Sequence, residues 1–237
     1  DFDNDNDFDI VTEYEQNPSF LSYYVNDNGT FNNLNTIQNE DNSYVISQQG
    51  SIPTFCDIDN DQDLDFFVGN IIGTVSFYEN QGFLNNKPIL ELVTDFWEEI
   101  YIVGSSLHNR HGASAITFID LDGDGDLDLA WGDYFQRSLY VIWNIGTAQS
   151  VDMDEFEFTY QFPENDPIYT SGQNMPSFAD LDNDNDNDLF ITVLGGDGPL
   201  QLSDNFLMYE NTGSSTNPFY EHITNNYLNK SISLSLS

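Results

Sequence analysis

The stretch Asp57-Ile-Asp-Asn-Asp-Gln-Asp-Leu-Asp65, running straight into Phe66-Phe67-Val68, decides the fold. Aspartate fills every second position of the loop, and apolar, β-prone side chains follow without a break. Three further copies share the pattern: Asp1-Phe-Asp-Asn-Asp-Asn-Asp-Phe-Asp9, Asp120-Leu-Asp-Gly-Asp-Gly-Asp-Leu-Asp128 and Asp180-Leu-Asp-Asn-Asp-Asn-Asp-Asn-Asp188. Successive copies lie roughly 60 residues apart, and self-similarity at a fixed period marks a repeat architecture.

The likeness extends beyond the acidic loops. Before the last three, a Gly opens a short apolar run ending in Phe, at Gly50 to Phe55, Gly112 to Phe118 and Gly172 to Phe178. After each loop come Ile10-Val11, Phe66-Phe67-Val68, Leu129-Ala130-Trp131 and Leu189-Phe190-Ile191-Thr192-Val193. Farther on, an aromatic strand runs into an Asn turn at Asn26, Asn80, Asn144 and Asn211, with Gly82, Gly146 and Gly213 two residues past the last three. A last alternating strand follows, as in Leu90 to Val93, Phe156 to Tyr160 and Phe219 to Ile223. Four short strands per unit, alternating with period two and separated by Gly and Asn turns, predict the blades of a β-propeller. No segment sustains a helical period. The expected fold is all-β: one propeller-like domain over 1–237, whole or partial, with repeats at about 1–56, 57–119, 120–179 and 180–237.

The tail Ser231-Ile-Ser-Leu-Ser-Leu-Ser237 alternates throughout and occupies the place of a strand that precedes an acidic loop. Three readings stay open. The tail supplies the strand missing before Asp1 and closes a ring, it donates that strand to a neighbouring copy and so builds a homo-polymer, or the stretch is part of a longer propeller. The opening Asp1-Phe2-Asp3 carries no leader, which reads as a processed or partial product.

Composition narrows the partners. Against 41 acidic side chains stand Lys87, Arg110, Arg137 and Lys230, for a formal charge of −37. Nucleic acid and anionic membranes need Lys and Arg, so neither is expected as a partner. No apolar run approaches the roughly 20 residues of a membrane span. The chain has 19 Phe and 13 Tyr, enough apolar material for a core despite the charge. Cys56 is the sole cysteine, so no internal disulfide forms and metal is left to brace the fold. The sequons at Asn28 and Asn229 mark candidate glycosylation sites and fit an extracellular chain.

Five carboxylates at alternate positions repel one another unless a cation sits among them. Calcium suits such a loop, because it takes six to eight oxygens from flexible ligands. The candidate metal residues are Asp1, Asp3, Asp5, Asp7 and Asp9; Asp57, Asp59, Asp61, Asp63 and Asp65; Asp120, Asp122, Asp124, Asp126 and Asp128; and Asp180, Asp182, Asp184, Asp186 and Asp188. Side chains at positions one, three, five and nine, with the backbone carbonyl at seven, converge on one ion, giving up to four Ca²⁺. The turn needs positive φ near position six, where Gly125, Asn6 and Asn185 suit and Gln62 suits least. Apolar Phe2, Ile58, Leu121 and Leu181 at position two are expected to anchor the loops to the core. Zinc and softer metals are disfavoured, since no His or Cys joins the clusters.

These loops resemble the calcium loops of FG-GAP repeats in integrin α-subunit propellers and the related VCBS-type repeats of secreted bacterial proteins. The resemblance runs through Phe-x-Asp-[Ile/Leu]-Asp-x-Asp-x-Asp-x-Asp, an apolar strand and Asn-x-Gly over nearly the whole chain. It implies a propeller with one calcium per blade in the loop joining the first two strands. Its ligands would be Asp57, Asp59, Asp61, the Asp63 carbonyl and Asp65, with equivalents in the other loops. Such propellers commonly have seven blades where four repeats stand here, and the integrin Phe-Gly and Gly-Ala-Pro signatures are largely absent. The secreted repeats are therefore the closer match.

Other chemistry is sparse. His108-Asn109-Arg110-His111 reads as an exposed connection, with a sugar or anion site as its functional alternative. Glu98-Glu99 reads as a solvated turn, with acid/base work as its alternative. Cys56 reads as a buried, inert thiol. Trp97, Trp131 and Trp143 would stack on sugars if exposed. No nucleophile elbow, phosphate loop or zinc-protease motif occurs, so no catalytic residue is assigned. The expected role is a secreted or cell-surface, non-enzymatic calcium module in structure or adhesion, with a protein or glycan partner. A lectin-like propeller and the propeller portion of a polysaccharide-degrading enzyme are the rivals.

Overall fold

Each acidic loop from the second onward joins two strands that pair with each other across it, so the period-two runs on either side become neighbours in one sheet. The computed structural model describes residues 2–3, 5–14, 19–47, 50–102, 114–195 and 205–227. The first sheet holds β1 (Ile10–Tyr14), β2 (Ser19–Asp27) and β3 (Thr30–Thr36) in that order, with β4 (Ile46–Ser47) paired to β2. The second is β5 (Thr54–Cys56), β6 (Asp65–Gly69), β7 (Val75–Leu84) and β8 (Lys87–Thr94). The third holds β9 (Ser114–Ile119), β10 (Asp128–Asp133) and β11 (Tyr140–Ile142), and the fourth β12 (Asn174–Ala179), β13 (Asp188–Val193), β14 (Phe206–Asn211) and β15 (Tyr220–Thr224). All neighbours are antiparallel, and the four sheets are the blades of a four-blade β-propeller.

One expected strand does not form. In the third blade Phe156 to Tyr160 makes only an isolated bridge, Val141 to Thr159. Asp154 explains this, because its Oδ1 accepts the N–H groups of Phe156 (3.1 Å) and Glu157 (3.0 Å) and holds the chain in a turn. The alternating tail, Ser231 to Ser237, lies outside the described residues.

Apolar side chains from facing blades fill three seams. Between blades one and two lie Phe2, Leu21 and Tyr23 against Phe66, Val68 and Tyr78. Between two and three, Ile58, Phe67 and Trp97 meet Ile116, Leu129 and Trp131. Between three and four, Leu121, Leu139 and Val141 meet Leu189, Ile191 and Tyr209. Burying each large side chain contributes about 1.5–3 kcal/mol, so the seams carry most of the fold's stability. At Gly69 and Gly132 the next blade's first strand comes so close that a Cβ would overlap Ser114 Oγ or the Asn174 carbonyl oxygen, respectively.

Position two behaves as a seam residue in the first three loops. Phe2, Ile58 and Leu121 each pack toward the following blade and are buried, whereas Leu181 is 47% exposed. The expectation that Leu181 anchors its loop to the core is corrected here. Among the described residues, Leu181 belongs to no core cluster.

Candidate metal centres

The first, third and fifth aspartates converge in three loops. Asp57, Asp59 and Asp61 each offer a carboxylate oxygen, all within 4.8 Å of one another, and Asp120, Asp122 and Asp124 and then Asp180, Asp182 and Asp184 repeat the arrangement. Backbone shape gathers them. Positions four and six are both left-handed, with φ of 61° at Asn60 and 79° at Gln62, 75° at Gly123 and 96° at Gly125, and 67° at Asn183 and 74° at Asn185. Asn and Gly tolerate this region, but Gln62 sits there at a cost of about 1–3 kcal/mol. The sequence reading marked position six alone; position four carries the same Asn/Gly signal.

This coil wraps around the first aspartate, whose carboxylate accepts N–H groups from the turn. Asp57 accepts from Asp61 and Gln62, each at 3.0 Å. Asp120 accepts from Gly123 (2.6 Å) and Gly125 (3.1 Å), and Asp180 from Asn183 (2.7 Å) and Asn185 (3.1 Å). In the first loop Asn6 is likewise left-handed at 73°, and Asp5 accepts the Asp7 N–H at 2.8 Å. There the Asp7 carboxylate also takes the N–H of Asn28 at 2.8 Å. Asp1 lies outside the described residues.

The seventh aspartate contributes more than its carbonyl. Oδ1 of Asp63, Asp126 and Asp186 is buried in each case, with no hydrogen-bond partner among the described residues. Burial first, and the neighbouring loop carboxylates second, push Asp63 and Asp126 up to about 6. Asp59 and Asp186 shift upward for the same reasons. A buried acceptor without a donor is costly, and carboxylate oxygens of this kind suit a hard cation taking six to eight oxygens.

The ninth aspartate has a second task. Asp65, Asp128 and Asp188 are buried, and Oδ1 of each accepts the N–H of an Asn in or just after the blade's third strand: Asn80 (2.9 Å), Asn144 (2.9 Å) and Asn211 (3.0 Å). Asp9 does the same with Asn26 at 2.9 Å. The other oxygen returns to the start of the loop, taking the N–H of Phe2 at 2.7 Å, Leu121 at 2.9 Å and Leu181 at 3.3 Å. Each Asn side chain then accepts from the turn glycine, as Asn80 does from Gly82 at 3.0 Å and Asn144 from Gly146 at 3.0 Å. The ninth aspartate thus clamps loop to strand. Burial raises Asp65 and Asp128 to about 7.

The other candidates sort by burial. Trp131 and Trp97 are seam residues, 0% and 5% exposed, and Trp143 is half-buried with its Nε1 donating to Thr159 Oγ1 at 3.2 Å. Trp97 and Trp131 are therefore closed to sugars. Cys56 is half-buried at the end of β5, and desolvation pushes its thiol well above the ordinary range. Glu98 and Glu99 lie in a 3-10 turn, Trp97–Glu99, where burial raises the Glu98 carboxyl ahead of repulsion from Asp152. Asn28 is exposed in the turn between β2 and β3. His108, Arg110, His111 and Asn229 lie outside the described residues.

Blades with an acidic loop between their first two strands, an Asp-to-Asn clamp and a turn glycine define a repeat propeller built around its loops. The FG-GAP-like repeat family matches residues 57–131 and 120–191, together more than half of the chain, and the chain belongs to that family. No curated protein and no solved structure matches it. The matched span contains all three converged aspartate groups.

Proposed function

We propose that this chain is an extracellular calcium-binding propeller with a structural or adhesive, non-catalytic role, holding up to four ions, one in each acidic loop. The observation that carries the reading is the convergence of three carboxylates in each of three loops, with a buried, donorless oxygen from Asp63, Asp126 or Asp186 beside them. Sites made only of oxygen favour a hard ion, and flexible turns favour calcium over the tighter octahedron of magnesium. Affinities of ~10⁻⁴–10⁻³ M, ordinary for extracellular modules, suffice outside the cell. Among the described residues no helix is long and apolar enough to cross a membrane. The net charge of −37 favours a protein or neutral-glycan partner over a polyanion.

Calorimetric titration with calcium tests this, and Asp126→Asn sharpens it. Asparagine keeps the shape but removes one of the carboxylates that repel in the bare loop. In EDTA the variant is expected to melt higher than the parent; in calcium, affinity at the third loop should fall at least about tenfold, or about 1.4 kcal/mol. A titration with no saturable heat would end the calcium reading.

A further inference from the structure

We propose that the cleft between blades three and four receives a basic side chain, lysine or arginine, from a protein partner. The third blade breaks the repeat at this place. Its segment Phe156 to Tyr160 forms no strand, and the chain crosses instead to blade four. There Asn165 Nδ2 donates to the Tyr220 carbonyl oxygen at 2.6 Å, and the Phe162 and Tyr220 rings meet edge-on at 5.5 Å. Just before its turn Asn, blade three carries Trp143 where blades two and four carry Glu79 and Glu210. The crossing encloses a cavity of about 550 Å³, lined chiefly by Trp143, Pro163, Glu164, Asn165, Pro218 and Phe219. That volume lies within the ordinary range of ligand clefts.

Both walls are fixed in place. On the blade-three side, Ser138 Oγ accepts the Phe162 N–H at 3.0 Å, and the Phe162 carbonyl takes the Ile168 N–H at 3.1 Å. Trp143 is held there by its Nε1 donating to Thr159 Oγ1 at 3.2 Å. On the blade-four side, the Asn211 side chain accepts the N–H of Phe219 at 2.9 Å and of Gly213 at 3.1 Å. Walls set before a ligand arrives lower the ordering cost of binding. None of the lining residues is a candidate calcium ligand, so the cleft rests on the proposed protein partner and not on calcium.

Lining chemistry and charge select the occupant. Trp143 is half-buried and Phe219 is 47% exposed, so flat apolar faces meet solvent. Glu164 is exposed and is the one charged residue of the lining. No Lys, Arg or His lines the cleft, and the indole and amide N–H groups of Trp143 and Asn165 are engaged within the protein, so the ligand supplies the donors. A long basic side chain meets both demands. Its methylene stem lies along apolar surface while its cationic head reaches a carboxylate. Aromatic faces attract the same cation. The net charge of −37 draws basic partners toward the chain and repels acidic ones.

Fluorescence titration tests this, because Trp97 and Trp131 are buried and Trp143 alone meets solvent. The probes are end-blocked Gly-Gly-Lys-Gly-Gly and Gly-Gly-Arg-Gly-Gly, with the norleucine peptide as the uncharged counterpart. A basic peptide at millimolar concentration should shift the emission saturably, and the norleucine peptide should bind at least about fivefold more weakly. Glu164→Gln and Phe219→Ala, both at exposed side chains, should each weaken the basic peptide about fivefold with unchanged far-ultraviolet spectra. Diffuse attraction to 41 acidic residues would scarcely register the loss of one carboxylate. No saturable shift, equal binding of the norleucine peptide, variants that bind as the parent does, or a response to neutral methyl glucosides in place of the basic peptides would each overturn the inference. Titrations run in calcium and in EDTA, and calorimetry with calcium reports the metal reading separately.

Discussion

Adding EDTA to the calcium-saturated protein is expected to lower its melting temperature by roughly 8–16 °C. An ion bound only to the folded chain stabilises it by mass action, about 1.4 kcal/mol per site at tenfold excess over the dissociation constant. Three converged loops then give about 4 kcal/mol, and a chain of this size shifts by about 2–4 °C per kcal/mol. A differential scan showing the same midpoint in calcium and EDTA would mean that the loops are acidic turns and nothing more. The effect carries a pH signature whose sign is set by Asp63, Asp65, Asp126 and Asp128. Folding raises these groups to about 6 or 7 from an ordinary 3.8, so the metal-free fold holds more protons than the unfolded chain between those limits. Stability of the EDTA-treated protein should therefore fall as pH rises from about 4 to 7. Calcium needs those carboxylates ionised, so its stabilisation should grow over the same window.

The second large effect belongs to packing. Gly132→Ala is expected to cost about 3–5 kcal/mol, because the added carbon overlaps the Asn174 carbonyl oxygen and the backbone at that seam has little room to yield. That corresponds to a melting temperature lower by roughly 6–20 °C. Gly82→Ala is the comparison: its φ is 88° and nothing lies within 4 Å of the added carbon. Only the left-handed backbone resists that change, at about 1–2 kcal/mol. If thermal melts show Gly132→Ala losing no more than Gly82→Ala, blades three and four are not seated as closely as described.

The acidic loops, the apolar strands after them and the Asn-Gly turns are legible in the sequence because each is local. Alternating Asp with Asn or Gly at positions four and six specifies a left-handed coil within a few residues, whatever surrounds it. The Asp-to-Asn clamp was harder to see. The distance along the chain from the ninth aspartate to its Asn differs from blade to blade, and only paired strands show that the Asp128 carboxylate meets the Asn144 backbone N–H. The missing strand at Phe156 to Tyr160 failed for a similar reason: its alternation is sound, and a single Asp154 carboxylate outcompetes the sheet for two N–H groups.

Sequence by itself determined the repeat, the all-β class and the gathering of like charges that calls for a cation, since these follow from spacing along one strand of chain. Tertiary structure alone decided which identical-looking positions are buried. Leu121 and Leu181 occupy the same place in near-identical loops, yet one is 2% and the other 47% exposed. Burial is a property of what lies opposite, which no local pattern records.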